Sequence, residues 1–386
     1  MAEAPPRSAV GSSPAEVPFQ VYIHVPFCSR RCGYCDFNTY VAPAGERAAF
    51  ADQAIAEMWL AAAALAQPSP GITVYFGGGT PTLLPAADLV RLLDAVRQVF
   101  GLVDGAEVTA EANPDTVDAA YLRRLADGGF TRLSLGMQSA VPGVLRTLDR
   151  THNPARVAAA VEDARAAGLD VSADLIYGAP GESPADWEAS VRAALDLGLG
   201  HISAYALTLE AGTPMARRIR AGALAEVDPD GQAQKYEIAD GLFEAAGLKW
   251  YEISNWAKPG LESRHNLGYW TGADWLGIGP GAHSAVGPER FWNVKSPRRY
   301  AEALARGDLP RAGREIPDAA ALALERVMLE IRTARGLACD ALSAQALEAS
   351  SAVVADGLAT REGDRLVLTR RGRLLADLVT RRLTFF

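Results

Sequence analysis

Six short β-type runs, separated by helix-type segments, constrain the fold of this chain more than any other feature of its sequence. The segments between the runs are rich in Ala, Leu and Arg and have helical periodicity. This alternation predicts repeated βαβ units, and therefore an α/β fold with a parallel sheet. Because there are six units rather than eight, we expect an open, partial barrel, with its chemistry at the carboxyl ends of the strands. The six runs are Val21–Val25, Ile72–Phe76, Glu107–Ala110, Arg132–Leu135, Val171–Tyr177 and His201–Leu209.

Changes of composition divide the chain into four predicted segments. Residues 1–18 read as a disordered tail without an export signal, and residues 19–248 carry the strand–helix alternation. Residues 249–312, rich in Trp, Tyr, Gly and Pro, are predicted to connect the barrel to a C-terminal domain. Residues 313–386 are mostly of helical type and end in a short β-type run and a basic helix, an order typical of a winged helix-turn-helix.

The charge balance bears on the partners of the protein. The 386 residues include 38 Lys and Arg against 46 Asp and Glu, a net charge of -8, which argues against a nucleic acid as the main partner. No apolar run is long enough to span a bilayer. We therefore expect a cytoplasmic protein without a transmembrane segment, for which peripheral membrane association stays open. The seven arginines of residues 358–386 offer an alternative, a DNA-binding winged helix, or else the solvated face of a packed helix.

Three of the four cysteines, Cys28, Cys32 and Cys35, lie within eight residues of each other, and Cys339 stands alone. A disulfide framework would spread an even number of cysteines along the chain, so the cluster predicts metal or redox chemistry. The spacing would also place the three thiols on one face of a helix. Pro26 and Gly33 argue against that helix, because both residue types discourage regular helical structure.

Two kinds of metal centre fit the three cysteines. A structural zinc site would need a fourth protein ligand, for which His24 is the nearest candidate, although such sites usually consist of two separated pairs of ligands. A [4Fe–4S] cluster held by three thiolates instead leaves one iron without a protein ligand. An open iron of this kind can bind a substrate or cofactor directly.

The motif C-x3-C-x2-C, placed in the loop after a first strand, resembles the signature of the radical S-adenosylmethionine (SAM) superfamily. The resemblance implies that the partial barrel is of the radical SAM type and that the open iron binds the amino and carboxylate groups of SAM. It also implies an electron donor, because the cluster of that superfamily is reduced by one electron before SAM is cleaved to methionine and a 5′-deoxyadenosyl radical.

A Gly-Gly-Gly-Thr-Pro run at residues 77–81 follows the second strand. It predicts a bare loop whose amides approach a polar cofactor group, or else a tight strand-to-helix turn. The run resembles a motif of the coproporphyrinogen oxidase-like branch of radical SAM proteins. In that branch, positions that match residues of this chain hold SAM. They are the loop residues Gly78, Gly79 and Thr80 and the polar residues Tyr22, Glu111, Gln138, Arg150 and Asp174, each of which alone is also explained as a strand-end cap or a surface residue.

Two further features separate members of this branch. The oxygen-independent coproporphyrinogen III oxidases carry a fourth cysteine two residues after the third, where this chain has Phe37. Residues 265–270, His-Asn-Leu-Gly-Tyr-Trp, resemble the HNxxYW motif of the HemW family of heme-binding chaperones. That resemblance implies a heme site formed by His265, Tyr269 and Trp270, because imidazole is a good axial ligand and aromatic rings pack on porphyrin faces.

The heme site has open alternatives. A histidine beside aromatic rings is often a hydrogen-bonded core residue, and His283 and His24 are the other candidate ligands. The resemblance to the HemW family implies a chaperone that passes heme to a hemoprotein, for example one of the respiratory chain, without conventional turnover and without a catalytic residue. The alternative function is that of a coproporphyrinogen III oxidase, a radical SAM oxidoreductase of porphyrin biosynthesis.

Overall fold

The computed structural model describes residues 19–65 and 70–384, so the tail predicted for residues 1–18 lies outside the described part of the chain. Its centre is six consecutive parallel strands that pair in the order of the sequence. Within the described residues the sixth strand does not pair with the first, so the sheet stays open. The α/β class and the parallel sheet predicted from the sequence are confirmed. The strands are β1 (Phe19–Val25), β2 (Gly71–Gly78), β3 (Leu102–Ala112), β4 (Arg132–Gln138), β5 (Asp170–Tyr177) and β6 (His201–Ala206).

Alternation along each parallel strand separates an apolar outer face from a polar inner face. In β1, Val21 and Ile23 are fully buried in the hydrophobic core beneath the helices, whereas Tyr22 lies on the opposite face, in the interior of the barrel. The other five strands repeat the pattern. The inner face is therefore not filled by packed aliphatic side chains, as it is in a closed barrel. Its polar lining includes Thr109, Glu111, Arg132, Ser134, Ser172, Asp174, His201 and Ser203.

Helices cross over between the strands and cover the outer face of the sheet. α6 illustrates how the local sequence starts them: Ser183 caps the helix and forms a reciprocal capping box with Asp186, and Pro184 occupies the first turn. Helices form between the strands, as the helical periodicity of these segments predicts. The helices of this region are α1 (Ala44–Ala64), α2 (Ala86–Val99), α3 (Ala119–Asp127), α4 (Pro142–Thr147), α5 (Pro154–Ala166), α6 (Pro184–Asp196), α7 (Pro214–Arg220) and α8 (Pro229–Ala245).

The segment of residues 249–312 adds strands to both edges of the sheet, which has twelve strands within the described part of the chain. β7 (Lys249–Glu252) and β8 (Asn255–Ala257) extend the β6 edge, and β9 (Asp274–Ile278) pairs in parallel with β1. Three antiparallel strands then continue beyond β9: β10 (His283–Val286), β11 (Glu289–Asn293) and β12 (Arg311–Glu315). The segment also contains the helices α9 (Arg264–Thr271) and α10 (Pro297–Ala305).

A buried carboxylate ties this extension to the barrel. Glu57 of α1 accepts hydrogen bonds from the amide of Gly279, the Asn293 side chain and the Tyr300 hydroxyl. Burial raises the pKa of Glu57 to about 7, although all three of these donors lower it. One side chain thus joins α1 to β11, to α10 and to the loop after β9.

The C-terminal part packs around a hydrophobic cluster of its own, which includes Val327, Ile331, Val353, Leu366 and Val379. Its described elements form a three-stranded antiparallel sheet with the order β13-β15-β14; one helix precedes the sheet, one lies between β13 and β14, and two follow β15. These elements are α11 (Ala319–Glu330), β13 (Leu337–Ala338), α12 (Ala344–Ala355), β14 (Ala359–Glu362), β15 (Arg365–Leu368), α13 (Arg370–Leu374) and α14 (Ala376–Thr384).

An ion cluster seats the C-terminal part on the barrel. Asp240 of α8 is almost fully buried and accepts hydrogen bonds from both Nη atoms of Arg373 at 2.8 Å, from Arg370 and from the Trp256 indole at 2.8 Å. The Arg373 guanidinium also lies over the Trp250 ring, 4.6 Å from its centre. Arg370 and Arg373 belong to the basic C-terminal helix, so these two arginines hold the molecule together instead of forming a free basic surface.

Across residues 19–65 and 70–384, no helix combines the length and the apolar character that crossing a bilayer requires.

Candidate functional site

Two cavities of about 550 Å³ each lie on either side of the short helix α9. The α9 backbone is held by side chains near the amino ends of the strands: Gln20 donates to the His265 carbonyl at 2.9 Å, and Glu107 accepts from the amides of Arg264 and His265. The cysteine loop follows the carboxyl end of β1, five residues beyond Gln20, or about 16 Å along the strand. α9 therefore closes the barrel at the end opposite to the cysteines.

This placement corrects one sequence-based expectation. The carboxyl-end rule describes the cysteine loop, the glycine loop and the strand-end carboxylates, but the helix of the HNxxYW sequence lies at the amino ends of the strands. The sequence could not reveal this, because α9 reaches its position through contacts with residues more than 150 positions away, such as Glu107 and Gln20.

The first cavity brings together the residues that were predicted to hold the cluster and SAM. They come from the cysteine loop, the glycine loop, the interior faces of β1, β3, β4 and β5, and the connection between α4 and α5. All of them line this one cavity: Tyr22, Cys28, Cys32, Cys35, Gly78, Gly79, Thr80, Glu111, Gln138, Arg150 and Asp174.

The three cysteines lie in a loop, so the helical-stripe alternative is wrong. The loop is fastened by a hydrogen bond from the Cys28 amide to the Tyr40 carbonyl at 3.0 Å and from the Tyr40 amide to the Pro26 carbonyl at 2.7 Å. Burial raises the pKa of the Cys28 thiol to about 11 and raises that of Cys35. Deprotonation of such thiols calls for a positive partner, which a metal centre supplies.

The zinc alternative lacks a fourth ligand here. Both ring nitrogens of His24 are engaged, Nε2 with the Asn38 carbonyl at 3.0 Å and Nδ1 with the Tyr22 hydroxyl at 3.1 Å. In the described part of the chain, no three His, Cys, Asp or Glu side chains converge closely enough to hold a single ion. Thiolates that bind separate irons of a cluster need no such convergence, so the donor set fits a cluster better than zinc.

The glycine loop does not present free amides to a cofactor, which was one of its two expected roles. The amides of Gly78, Gly79 and Thr80 donate to the Glu111 carboxylate at 3.2 Å, the Val25 carbonyl at 2.8 Å and the Phe27 carbonyl at 2.7 Å, so they are not free for a cofactor. Glycine is required here for close packing. Gly78 has φ +110°, and a Cβ on it would lie 2.6 Å from the His24 ring; a Cβ on Gly79 would overlap the Phe27 carbonyl. The loop positions the cysteine loop and Glu111.

Two buried carboxyl groups, those of Glu111 and Asp174, line the interior. Glu111 accepts hydrogen bonds from the Tyr75 hydroxyl at 3.0 Å and the Gly78 amide, and Asp174 accepts one from the Ser134 hydroxyl at 2.8 Å. Burial, and then the charge of Asp174, raises the pKa of Glu111 to about 7; burial also raises the pKa of Asp174. Two carboxyl groups with raised pKa values are suited to a cationic ligand, which would stabilise their ionised forms.

Gln138 and Arg150 complete the wall beside the cysteines. Gln138 has φ +62°, a left-handed conformation that non-glycine residues rarely adopt, and it sits where the pairing of β4 with β5 shifts register. The Arg150 Nη1 lies 3.8 Å from the Cys32 sulfur, and its buried Nε has no hydrogen-bond partner among the described residues. The neighbouring Asp149, which sequence reasoning missed, is also left-handed and pairs with Arg30 of the cysteine loop.

Deeper in the same cavity, sequence reasoning missed a layer of polar groups. Thr109, Arg132 and His201 are almost fully buried, and Oγ1, Nη2 and Nδ1 of these residues have no partner in the described part of the chain. The alternation of polar residues at every second position of β3–β6 was the available signal. It predicts a strand face that lines a polar cavity instead of a packed core.

These observations fit a [4Fe–4S] cluster with SAM. Three thiols share a cavity with a guanidinium, with carboxyl groups suited to a cation and with unpartnered polar atoms that a polar cofactor would satisfy. Cys28, Cys32 and Cys35 would hold the cluster. Arg150 would face the SAM carboxylate, while Glu111 and Asp174 would face its cationic and hydroxyl groups.

His265 is deeply buried at the bottom of this cavity, and both its ring nitrogens are engaged. Nδ1 shares a hydrogen bond with the Thr73 hydroxyl at 2.7 Å, and Nε2 shares one with the Tyr269 hydroxyl at 2.9 Å. Its ring stacks on Tyr75 at 5.0 Å. Burial lowers the pKa of His265 to about 3, so the imidazole is neutral. An iron atom on either nitrogen would displace a hydrogen bond.

The structure divides the three residues predicted to form the heme site. His265 faces the first cavity, Tyr269 contributes to both cavities, and Trp270 lines only the second. Of the other histidines considered, His24 is held by the two hydrogen bonds described above. His283 is exposed on β10, where it stacks on Trp292 at 5.8 Å.

The second cavity lies between α9 and the strands β9 and β10 on one side, and α11 with the turn that follows it on the other. Its walls carry the indole rings of Trp270 and Trp275 and the aliphatic side chains of Leu322 and Leu329. The charged residues of its lining are Asp274, Arg290, Glu325, Arg326, Glu330, Arg335 and Arg365.

Comparison with known proteins shows the family of the chain. Residues 22–194 match the model of the radical SAM superfamily. The heme chaperone HemW of Mycobacterium tuberculosis is 53% identical over 371 residues, which are 95% of each chain, and HemW of Bacillus subtilis is 37% identical over 75% of this chain and 76% of its own. The chain belongs to the HemW family. As in other radical SAM proteins, a [4Fe–4S] cluster and SAM are its cofactors, and the cysteines at 28, 32 and 35 fit the cluster motif.

The fold has a solved counterpart outside the HemW family. Coproporphyrinogen III oxidase (HemN) from Escherichia coli, a radical SAM enzyme, superposes with a TM-score of 0.83 over 96% of this chain and 91% of its own. The sequence identity is 22%, so the likeness establishes the shared fold and no more.

Proposed function

We propose that this protein is a heme chaperone, which binds heme on or beside α9 and passes it to an acceptor hemoprotein. The observation that carries the proposal is the intact HNxxYW sequence on α9, the helix that separates the two cavities, in a chain 53% identical to a heme chaperone over 95% of its length. A carrier needs a binding site for the porphyrin and a cofactor site that does not compete for the same space. The two cavities offer that division.

In the first cavity, the chain's own residues would hold SAM against the cluster. Cys28, Cys32 and Cys35 bind three irons, Arg150 balances negative charge beside Cys32, and Glu111 and Asp174 attract cationic groups. Tyr22, Gln138 and the loop of Gly78, Gly79 and Thr80 shape the wall. When bound, the cluster and SAM supply one-electron chemistry. An electron donor for the cluster is part of the proposal.

The second candidate function is that of an oxygen-independent coproporphyrinogen III oxidase. The fold shared with the Escherichia coli enzyme is consistent with it. Phe37 argues against it, because this side chain lines the first cavity, 62% exposed, at the position where the oxidase motif has its fourth cysteine.

Two assays on the anaerobically reconstituted protein separate the candidates. A chaperone binds hemin at one equivalent per chain and yields no protoporphyrinogen IX from coproporphyrinogen III, SAM and reductant. An oxidase yields protoporphyrinogen IX. Failure to bind hemin would remove the chaperone proposal, whatever the second assay gives.

The finer parts of the proposal concern the surroundings of the protein. A cytoplasmic location, a respiratory hemoprotein as acceptor and peripheral association with a membrane that holds such an acceptor are all compatible with a heme chaperone. Co-purification of the heme-loaded protein with solubilised respiratory complexes, compared with the heme-free protein, would test the acceptor.

A further inference from the structure

We infer that heme binds in the second cavity, between α9 and the C-terminal part, and that its iron takes no ligand from His265. This inference rests on the proposed function, which it makes specific. The first observation is the division made by α9: among the described residues, the two cavities share Tyr269 and no other lining residue. His265 faces only the cavity that also holds the cysteines, and both of its ring nitrogens are engaged there.

The walls of the second cavity match the flat, apolar faces of a porphyrin. Trp270 and Trp275 present indole rings from the barrel side, and Leu322 and Leu329 face them from α11. The volume of about 550 Å³ lies within the range of cofactor sites. Leu322 is 48% exposed, so a bound apolar ring could pack on its free surface.

The charges of this cavity match the propionate carboxylates of heme. Its three acidic residues already have partners: Glu325 binds Arg290, Glu330 binds Arg326 at 2.8 Å, and Asp274 accepts the Gly287 amide at 3.0 Å. Of the basic residues in the lining, Arg335 and Arg365 are the two left without an acidic partner among the described residues. Within the described residues, neither guanidinium has a carboxylate within 4.0 Å, and Arg365 donates only to the Gly336 carbonyl. Guanidinium groups at the rim are suited to bind carboxylates.

A third observation is a buried donor without a partner. The indole nitrogen of Trp270 is shielded from solvent and makes no hydrogen bond with any described residue. Buried indole N–H groups normally find an acceptor. Since Trp270 lines the second cavity, a ligand there is in a position to supply one.

This site would hold heme by its ring faces and carboxylates alone. Among the described residues of its lining there is no histidine, cysteine or methionine, and the hydroxyl of Tyr269, the one tyrosine there, shares a hydrogen bond with His265 at 2.9 Å. The porphyrin would therefore bind without a protein imidazole or thiolate on its iron. That arrangement suits a carrier, because release to an acceptor would not require a strong iron–protein bond to break. It also gives the C-terminal part a function, as one wall of the heme site.

The test compares hemin with iron-free protoporphyrin IX on the full-length, cluster-reconstituted chain, using tryptophan fluorescence quenching. Because the inferred contacts do not involve iron, the two dissociation constants should agree within about threefold. Trp270→Ala and Arg335→Glu should each weaken both ligands by about tenfold or more. Arg298→Glu reverses the charge of an arginine that is 85% exposed and outside the cavity, and should change both constants less than twofold.

A fourth variant, Ala285→Trp, fills the cavity from β10 and should abolish binding of both ligands. The iron content and thermal unfolding of every variant are measured as well, to show that a loss of binding is not a loss of the fold. The inference is overturned if protoporphyrin IX does not bind while hemin does and His265→Ala removes the hemin. It is also overturned if the cavity variants bind as the Arg298→Glu control does. In both cases the chaperone proposal stands, whereas a wild-type chain that binds neither porphyrin refutes both.

Discussion

Replacing Asp240 by asparagine should destabilise the protein strongly, because this carboxylate seats the C-terminal part on the barrel. The substitution keeps the shape of the side chain and removes its charge. Arg373, whose side chain is 8% exposed, would then have a buried guanidinium without a counter-charge. Breaking a buried ion pair in this way costs about 3–5 kcal/mol. Arg370 contributes less, about 0.5–1 kcal/mol, because its side chain is 43% exposed.

The assay is urea unfolding at neutral pH, with the change in free energy taken from the shift of the midpoint. A double-mutant cycle with Arg373→Met isolates the pair, and we expect a coupling energy of about 2–3 kcal/mol, since the double variant leaves no buried charge unpaired. Arg298→Ala breaks an exposed pair with Glu302 and should cost less than about 0.5 kcal/mol. A loss below about 1 kcal/mol for Asp240→Asn would refute this account of the junction.

The pH dependence of the same pair has a definite sign. Burial raises the pKa of Asp240, but hydrogen bonds from Arg373 and Trp256 and the charges of both arginines outweigh it, so the pKa lies below its usual value. The stabilisation is therefore complete above the pKa of the unfolded chain, about 3.9, and is lost as the pH falls through the lower folded value. Wild type and Asp240→Asn should converge in stability only in strong acid.

Three further predictions concern the first cavity. Cys32→Ser should remove most of the reconstituted iron and the brown absorption near 400 nm, and a variant with full iron content would exclude Cys32 as a ligand. Gly79→Ala should lower cluster occupancy and destabilise the fold by about 1–3 kcal/mol in thermal unfolding, because the new Cβ meets the Phe27 carbonyl; unchanged stability and occupancy would contradict the packing argument. The pKa of Glu111 is about 7 and cationic SAM favours the carboxylate, so SAM affinity by equilibrium dialysis should rise about tenfold from pH 6 to pH 8. Glu111→Gln should flatten this rise, and a flat wild-type profile would disprove the role of the carboxyl group.

Much of the barrel could be predicted from the sequence because its information is local. The outer-face residues Val21 and Ile23 and the cysteine loop after β1 all lie within a single short segment. The strands β9–β12 could not be predicted, since they are short, pair antiparallel or at a distance, and occur in a segment without clear alternation. Their positions depend on contacts such as Glu57 with Asn293, which are 236 residues apart.

In the candidate site, too, local features could be predicted from the sequence and features that depend on distant contacts could not. The cysteine spacing and the carboxyl groups of Glu111, near the end of β3, and of Asp174, within β5, could be read directly. The sequence motif could not show that His265 and Trp270 lie in different cavities, because it specifies only which residues are neighbours in sequence. On a helix, side chains five positions apart point in different directions. The ion cluster of Asp240 was hidden for another reason: Arg373 lies 133 residues away and belongs to a stretch that also fits a DNA-binding surface.

The most direct test of the central claim is heme transfer from the loaded protein to an apo-hemoprotein. Hemin-loaded, cluster-reconstituted protein is mixed with apomyoglobin, and the Soret spectrum of the acceptor is followed. The account predicts one equivalent of heme held without an acceptor, and complete transfer at a rate that saturates with acceptor concentration. A protein that retains no heme after gel filtration, or that never releases it to an acceptor, would contradict a function as a heme chaperone.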